Sequence, residues 1–346
     1  MRIKGLDFLR GIAIIGVLFR HFEIDFCLSR PGGYGVDLFF VLSGFLVSGL
    51  LFSEYKKRGA VNVRRFLIRR GFKIYPSFYF FILCSILIYA IGFENYFPVQ
   101  SILSEVFFLQ SYLHPMWSHT WSLAVEEHFY LLIALFIFLA VKFKWIAKEK
   151  VMIPALSAAI LLSLFLRIVY VMTVYRESHE PFYFSHLRID GLFTGALLGY
   201  CLHFKPDMIE KIYHKKKILG LLSVVLIVPA FILGTENLFM VTIGFNLLHI
   251  AFSFIILLLM DEKVGKIMFG RGAMGMLSAA ICTIGIYSYS IYLWHLTMQN
   301  LLLRVIDDLN IETVVYVFAS IITGVLVSIL IEKPMLRLRD RHFIQK

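Results

Sequence analysis

The sequence predicts an all-α fold: a polytopic membrane helix bundle of about ten transmembrane helices, with both termini cytoplasmic. Three observations predict it. The first is composition: 59% of the 346 residues are hydrophobic and only 16% charged, with a mean hydropathy of +0.79, which no ordinary water-soluble surface tolerates. The second is that apolar runs of spanning length recur along the whole chain. Ten spans of roughly 20 residues use about 200 positions and leave about 13 for each loop or tail, so a large soluble domain is excluded and residues 1–346 are read as one membrane domain. The third is that Lys and Arg gather in every second loop.

In order, the runs fall at 8–24, 36–53, 72–92, 124–142, 152–174, 187–204, 217–234, 238–260, 280–303 and 313–331. The first contains Arg10 and ends without a small-residue cleavage site, so it is expected to remain in the mature protein. Arg2 and Lys4 precede it. Lys56, Lys57, Arg58, Arg64, Arg65, Arg69 and Arg70 fill the segment before the third run, and Lys142, Lys144, Lys148 and Lys150 follow the fourth. Lys205, Lys211 and Lys215 to Lys217 follow the sixth, Lys263, Lys266 and Arg271 the eighth, and Arg337, Arg339 and Arg341 the last. The intervening loops are poor in cations: 93–123 and 235–237 have none and 175–186 has only Arg176. Cytoplasmic loops hold the excess of cations, which sets the orientation. Loop 93–123, with Pro98, Pro115 and two Trp, is the longest outward segment and suits the outer interface.

The formal charge of +11 is therefore a topological signal and implies no nucleic acid. Cys27, Cys84, Cys201 and Cys282 are widely separated without a CxxC pair, and His and carboxylates do not recur at metalloprotease spacing, so no metal and no disulfide framework are expected. No internal repeat is evident, which disfavours an inverted-repeat transporter.

Charges inside the runs cost about 2.5–3.5 kcal/mol each on insertion scales and need a partner, a wet cavity or a function. On an ideal helix the eleven residues from Arg10 to His21 place both within about 20° of one stripe, about 16.5 Å apart. Asp7 joins the stripe one turn before Arg10. Traced by direction, the outer half receives His21, Asp37, Glu126, Glu127, His128, Arg188, Asp190 and His295; the inner half receives Arg10, Arg69, Arg70, Lys73 and Glu332. The outer layer offers a histidine for base-assisted acyl transfer with carboxylates to orient it; the inner layer suits a phosphorylated carrier. Arg167 lies deep in the fifth run without an evident partner. Glu127 and His128 read as interfacial.

The motifs carrying these residues resemble those of the acyltransferase-3 family of integral membrane acyltransferases, which includes polysaccharide O-acetyltransferases. LDFLRGIAIIGVLFRHF at 6–22 is similar to the family's Arg, ten residues, His signature, and GVDLFFVLSGFLVSGLL at 35–51 to its second-span pattern with Asp37 and Ser43. RRFLIRRGFKIYPSF at 64–78 resembles its Arg-x-x-Arg before Tyr-Pro, with Arg70 first and Lys73 in the second place. TWSLAVEEHFYLL at 120–132 carries Glu126 at the characteristic acid, with His128 where Gln is common. LRIDGLFTGALLGY at 187–200, GIYSYSIYLWHLTM at 285–298 and IEKP at 331–334 complete the series in family order.

The resemblance implies transfer of a short acyl group, typically acetyl, from cytoplasmic acyl-CoA to a hydroxyl of a glycan or lipid-linked sugar on the outer side of a bacterial inner (plasma) membrane. In that reading His21 is the general base, a transient acyl-histidine being the other route, and Glu126 orients or charge-balances it. Arg10, Arg69, Arg70 and Lys73 meet the donor. Asp37, Ser43, Arg188, Asp190, Tyr292 and His295 meet the acceptor. For several residues a structural role competes: Arg10 as an anchor to Asp7, the basic segment as topology alone, Glu126 as a helix-end acid, and Tyr292 with His295, or Arg188 with Asp190, as interhelical hydrogen bonds. The competing functions are a transporter or flippase for a glycan or lipid intermediate, and a non-catalytic scaffold.

Overall fold

A computed structural model of the chain describes residues 3–21, 29–92, 96–175, 183–234, 237–306 and 308–344; Arg2, Cys27 and Arg176 lie outside these. Among the described residues all regular structure is helical. The α-helices are α1 (Lys4–Arg20), α2 (Ser29–Gly32), α3 (Gly35–Arg58), α4 (Val63–Gly92), α5 (Val99–Val106), α6 (Trp121–Lys142), α7 (Glu149–Tyr170), α8 (Ser185–Arg188) and α9 (Asp190–Phe204). They continue as α10 (Pro206–His214), α11 (Lys216–Ile232), α12 (Phe245–Leu259), α13 (Glu262–Met268), α14 (Ala273–Ile286), α15 (Ser288–Leu302), α16 (Leu309–Val327) and α17 (Lys333–Arg339).

Six helical stretches among the described residues are long and apolar enough to cross a membrane, and seven if α13 and α14, bent by 100° to each other, count as one span. The expected runs at 8–24, 187–204 and 217–234 are occupied by α1, α9 and α11, of 17, 15 and 17 residues. At 1.5 Å per residue these fall short of a hydrocarbon core about 30 Å thick. The run expected as one helix at 280–303 is instead two helices, α14 and α15, broken at Tyr287.

The cations before the third run are helical. The Asn62 side chain accepts from the Arg65 backbone N–H at 2.8 Å, so α4 starts nine residues before its apolar run and carries Arg64 to Lys73 on its own surface. The preceding helix, α3, stops at Gly59, whose φ of +69° puts it in the left-handed region where a side chain is strained.

Backbones approach closely where the site is assembled. A Cβ on Gly44 of α3 would stand 1.9 Å from the Leu192 carbonyl oxygen, and one on Gly195 of α9 2.1 Å from that of Val41. Without side chains between them, α3 and α9 lock together. Gly285 likewise brings α14 onto α1, where a Cβ would meet the Asp7 carbonyl oxygen at 1.9 Å. Around these contacts lie two buried apolar clusters. One joins Ile14, Phe40, Phe78, Phe129 and Ile291; the other joins Leu6, Val41, Phe245 and Leu248. Outward faces are apolar too: Leu83 and Leu87 of α4, Leu131 and Leu135 of α6, and Leu161 and Phe165 of α7 are exposed in the isolated chain, as hydrocarbon-facing surfaces are.

Candidate active site

Helical periodicity assembles the site. Arg70, Lys73 and Ile74 share one face of α4, and Ser122, Leu123, Glu126 and Tyr130 share one face of α6. With Arg10 of α1, Ser43 of α3 and the break at 285–289, they line one cavity of about 900 Å³ including its open mouth.

Within the cavity the charges interlock. Ser43 donates to Glu126 at 2.9 Å, and the Tyr130 hydroxyl also donates to Glu126. The Arg70 guanidinium stands 5.6 Å from the centre of the Tyr130 ring. Lys73 pairs with Glu332, whose other oxygen accepts from Ser290 at 3.1 Å and Ser328 at 3.2 Å. Glu127, expected at the interface, is buried, lines the same cavity and accepts from Tyr75 at 3.1 Å. His128 meets Ser185 at 2.7 Å. Glu126, expected in an outer layer with His21, thus shares a cavity with Arg10, Arg70 and Lys73. Arg69 is exposed and does not line the cavity.

A second cluster abuts this cavity through Tyr292. His21 caps α1, and its carbonyl accepts from Gln299 at 2.7 Å. The His21 and His295 rings stand 5.1 Å apart, and the His295 and His119 rings 4.7 Å. Tyr292 lines the cavity while its ring lies 5.3 Å from that of His119 and 5.4 Å from that of His295. Its hydroxyl donates to the His119 carbonyl at 2.7 Å and pairs with Ser122 at 2.7 Å.

The other expected site residues meet in a buried ionic network that does not line the cavity. Arg188 donates to Asp37 at 2.7 Å, and His249 meets the same carboxylate at 3.1 Å. Arg167 pairs with Asp190 at 2.8 Å and donates to the Leu187 carbonyl at 2.8 Å. Asn246 accepts from Arg167 and donates to Asp190 at 3.0 Å. The Arg188 guanidinium lies 3.8 Å from the centre of the Phe245 ring.

Sequence reasoning missed His119, His249 and Asn246. His249 sits in the middle of an apolar run, where a polar side chain needs a partner, so that signal was present. His119 lies one residue before the TWSLAVEEHFYLL motif, and nothing in its spacing points to His295. Among the described residues no group of three or more His, Cys, Asp or Glu is placed to hold a metal ion.

A family model described as an acyltransferase domain, of the acyltransferase-3 type, matches residues 3–333. The O-acetyltransferase OatA of Staphylococcus aureus strain NCTC 8325 / PS 47 is 28% identical over 359 residues, covering 96% of this chain and 57% of the relative. OatA of strain MRSA252 matches to the same extent. The chain thus spans a little over half the length of these relatives. No solved structure gives a significant match.

Proposed function

This chain belongs to the acyltransferase-3 family, and on that premise we propose that it is a membrane O-acetyltransferase moving acetyl from cytoplasmic acetyl-CoA to a hydroxyl of a cell-surface glycan or lipid-linked sugar. The observation that carries the reading is the single cavity in which Arg10, Arg70 and Lys73 meet Glu126, walled by Tyr292 against the histidine cluster. The O-acetyl specificity is carried over from the names of the Staphylococcus aureus relatives.

In this reading residues 1–346 form one domain of ten spans with cytoplasmic termini in a bacterial inner membrane, the shorter helices α1, α9, α11 and α15 crossing within the bundle. The cations of α1 and α4 hold the CoA phosphates, with Arg69 at the inner mouth, because guanidinium and ammonium groups are the natural partners of phosphate. The pantetheine arm extends along α1 toward His21, about 16.5 Å from Arg10 on an ideal helix.

His21 takes the proton from the acceptor hydroxyl as its oxygen bonds to the thioester carbonyl carbon. The C–S bond then breaks, and CoA departs as a thiol with the proton His21 held. Glu126, fixed by Ser43 and Tyr130, keeps the cations charge-balanced when the donor is absent and orients them when it is bound. Tyr292 and His295 face the acceptor. Asp37, Arg188 and Asp190 act as positioning residues: their network ties α3 to α7, α9 and α12 and so holds Ser43 against Glu126.

The test is acetate released by mild base from envelope glycans of cells with the parent chain or His21→Ala, alongside acetyl-CoA binding to both purified proteins. The expected result is a loss of acetate of about 10²-fold or more with binding retained. Envelope acetate unchanged by deletion of the parent chain overturns the proposal; unchanged acetate with His21→Ala removes His21 from it.

A further inference from the structure

The histidine cluster holds more hydrogen-bonding capacity than the chain itself uses. His295 Nδ1 lies 2.6 Å from the Tyr292 carbonyl oxygen, and His119 Nε2 lies 3.2 Å from that of Leu293. A carbonyl oxygen only accepts, so each of these nitrogens carries the ring proton. In the neutral rings the opposite nitrogens, Nε2 of His295 and Nδ1 of His119, are then bare lone pairs. Both atoms are buried without a hydrogen-bond partner, and the residues are 0% and 5% exposed. Buried acceptors left empty are costly, and native chains rarely keep them without a ligand or a water. Here two of them, on opposite tautomers fixed by backbone carbonyls, stand in rings 4.7 Å apart, with His21 5.1 Å from one of them.

We propose that His119 and His295 form the acceptor-binding site beside His21, each bare nitrogen accepting a hydrogen bond from one of two neighbouring hydroxyls on a single sugar ring. The inference rests on the transfer reading above and names the chemistry that receives its acceptor. Two lone pairs in neighbouring rings take two donors, and adjacent hydroxyls of one sugar supply both. A further hydroxyl of the same sugar passes its proton to His21 and attacks the thioester carbonyl, with CoA leaving as the thiol, while the two bound hydroxyls keep their protons on the bare nitrogens and fix the ring. His119 and His295 are positioning residues in this scheme and neither takes the reacting proton. A side chain with an acceptor oxygen near the bare nitrogen therefore replaces them in part.

The test has two arms. In the first, nitrogen-15 NMR of histidine-labelled protein reads the rings directly, with assignments from His119→Asn and His295→Gln. The expected spectrum has His295 protonated on Nδ1 and His119 on Nε2, and methyl glucoside shifts the two bare nitrogens while tetrahydropyran, which has no hydroxyl, does not. The reverse tautomer on either ring, or no response to methyl glucoside, overturns the inference. In the second arm, His119→Leu and His295→Leu each lower envelope O-acetylation about tenfold or more with acetyl-CoA affinity kept, and His119→Asn and His295→Gln recover part of the loss. Leu variants with parent activity, or Asn and Gln variants no better than Leu, also overturn it. Parent cells lacking base-labile acetate would instead overturn the transfer reading, and the nitrogen spectrum would still decide this inference.

Discussion

Arg167 Nη1 and Asp190 Oδ2 lie 2.8 Å apart with both side chains fully excluded from solvent, joining α7 to α9. The guanidinium that has no evident partner in the sequence has its counter-charge at the start of the helix opening with Asp-Gly. It also engages the Leu187 and Thr242 carbonyls and Asn246, so most of its donors are satisfied.

Removing one half of this pair leaves a buried charge uncompensated. Asp190→Asn is expected to destabilise the protein by about 3–5 kcal/mol, while Arg167→Met combined with Asp190→Leu recovers most of the loss because both charges go together. Thermal unfolding in detergent, read by intrinsic fluorescence, checks this. Equal melting points for parent and Asp190→Asn would contradict it.

Donor binding is expected to depend on the cations that line the cavity more than on the one that does not. Arg70→Gln should weaken acetyl-CoA binding about tenfold or more, and Lys73→Met with Glu332→Gln, which removes the pair together, should do the same. Arg69→Gln should change affinity less than about threefold, since an exposed charge is screened. Calorimetric titration of the purified variants ranks the three.

Glu126→Gln keeps the shape of the side chain and an oxygen for Ser43 and Tyr130 but removes the negative charge that faces Arg10 and Arg70. Transfer to envelope glycans is expected to fall about 10²-fold with the melting point little changed, as befits a group tuned for the reaction. A parallel fall in stability would mark Glu126 as a packing residue.

Glu105 gives the segment between α4 and α6 a pH dependence. Burial pushes its carboxyl up from 4.5 to about 7, against the opposing hydrogen bonds from Thr120 and the Met116 backbone N–H. The folded state therefore holds the proton more tightly than the unfolded chain. The resulting stabilisation is full below about pH 4.5 and is lost as pH rises through about 7. Melting points of the parent should thus fall between about pH 5 and about pH 8 relative to those of Glu105→Gln, which has no proton to lose. Identical pH profiles for the two would refute the assignment.

By itself the sequence determined the all-helical class, the family and the residues that carry its motifs, because these depend on local composition and on spacing within one segment. Arg70 with Lys73, and Glu126 with Tyr130, lie one turn apart on their helices, so their shared faces are legible from periodicity alone. Which faces meet was decided by tertiary structure. Gly44 and Gly195 let α3 and α9 touch, which gives Asp37 its Arg188 across 151 positions, and the break at Tyr287 opens the wall that puts Glu126 with the cations. His119 enters the histidine cluster only because the 3-10 turn Ser118–Thr120 folds back over α15. Contacts between distant segments depend on how closely backbones approach and on which buried polar groups must satisfy one another, and neither is written in the spacing of a single run.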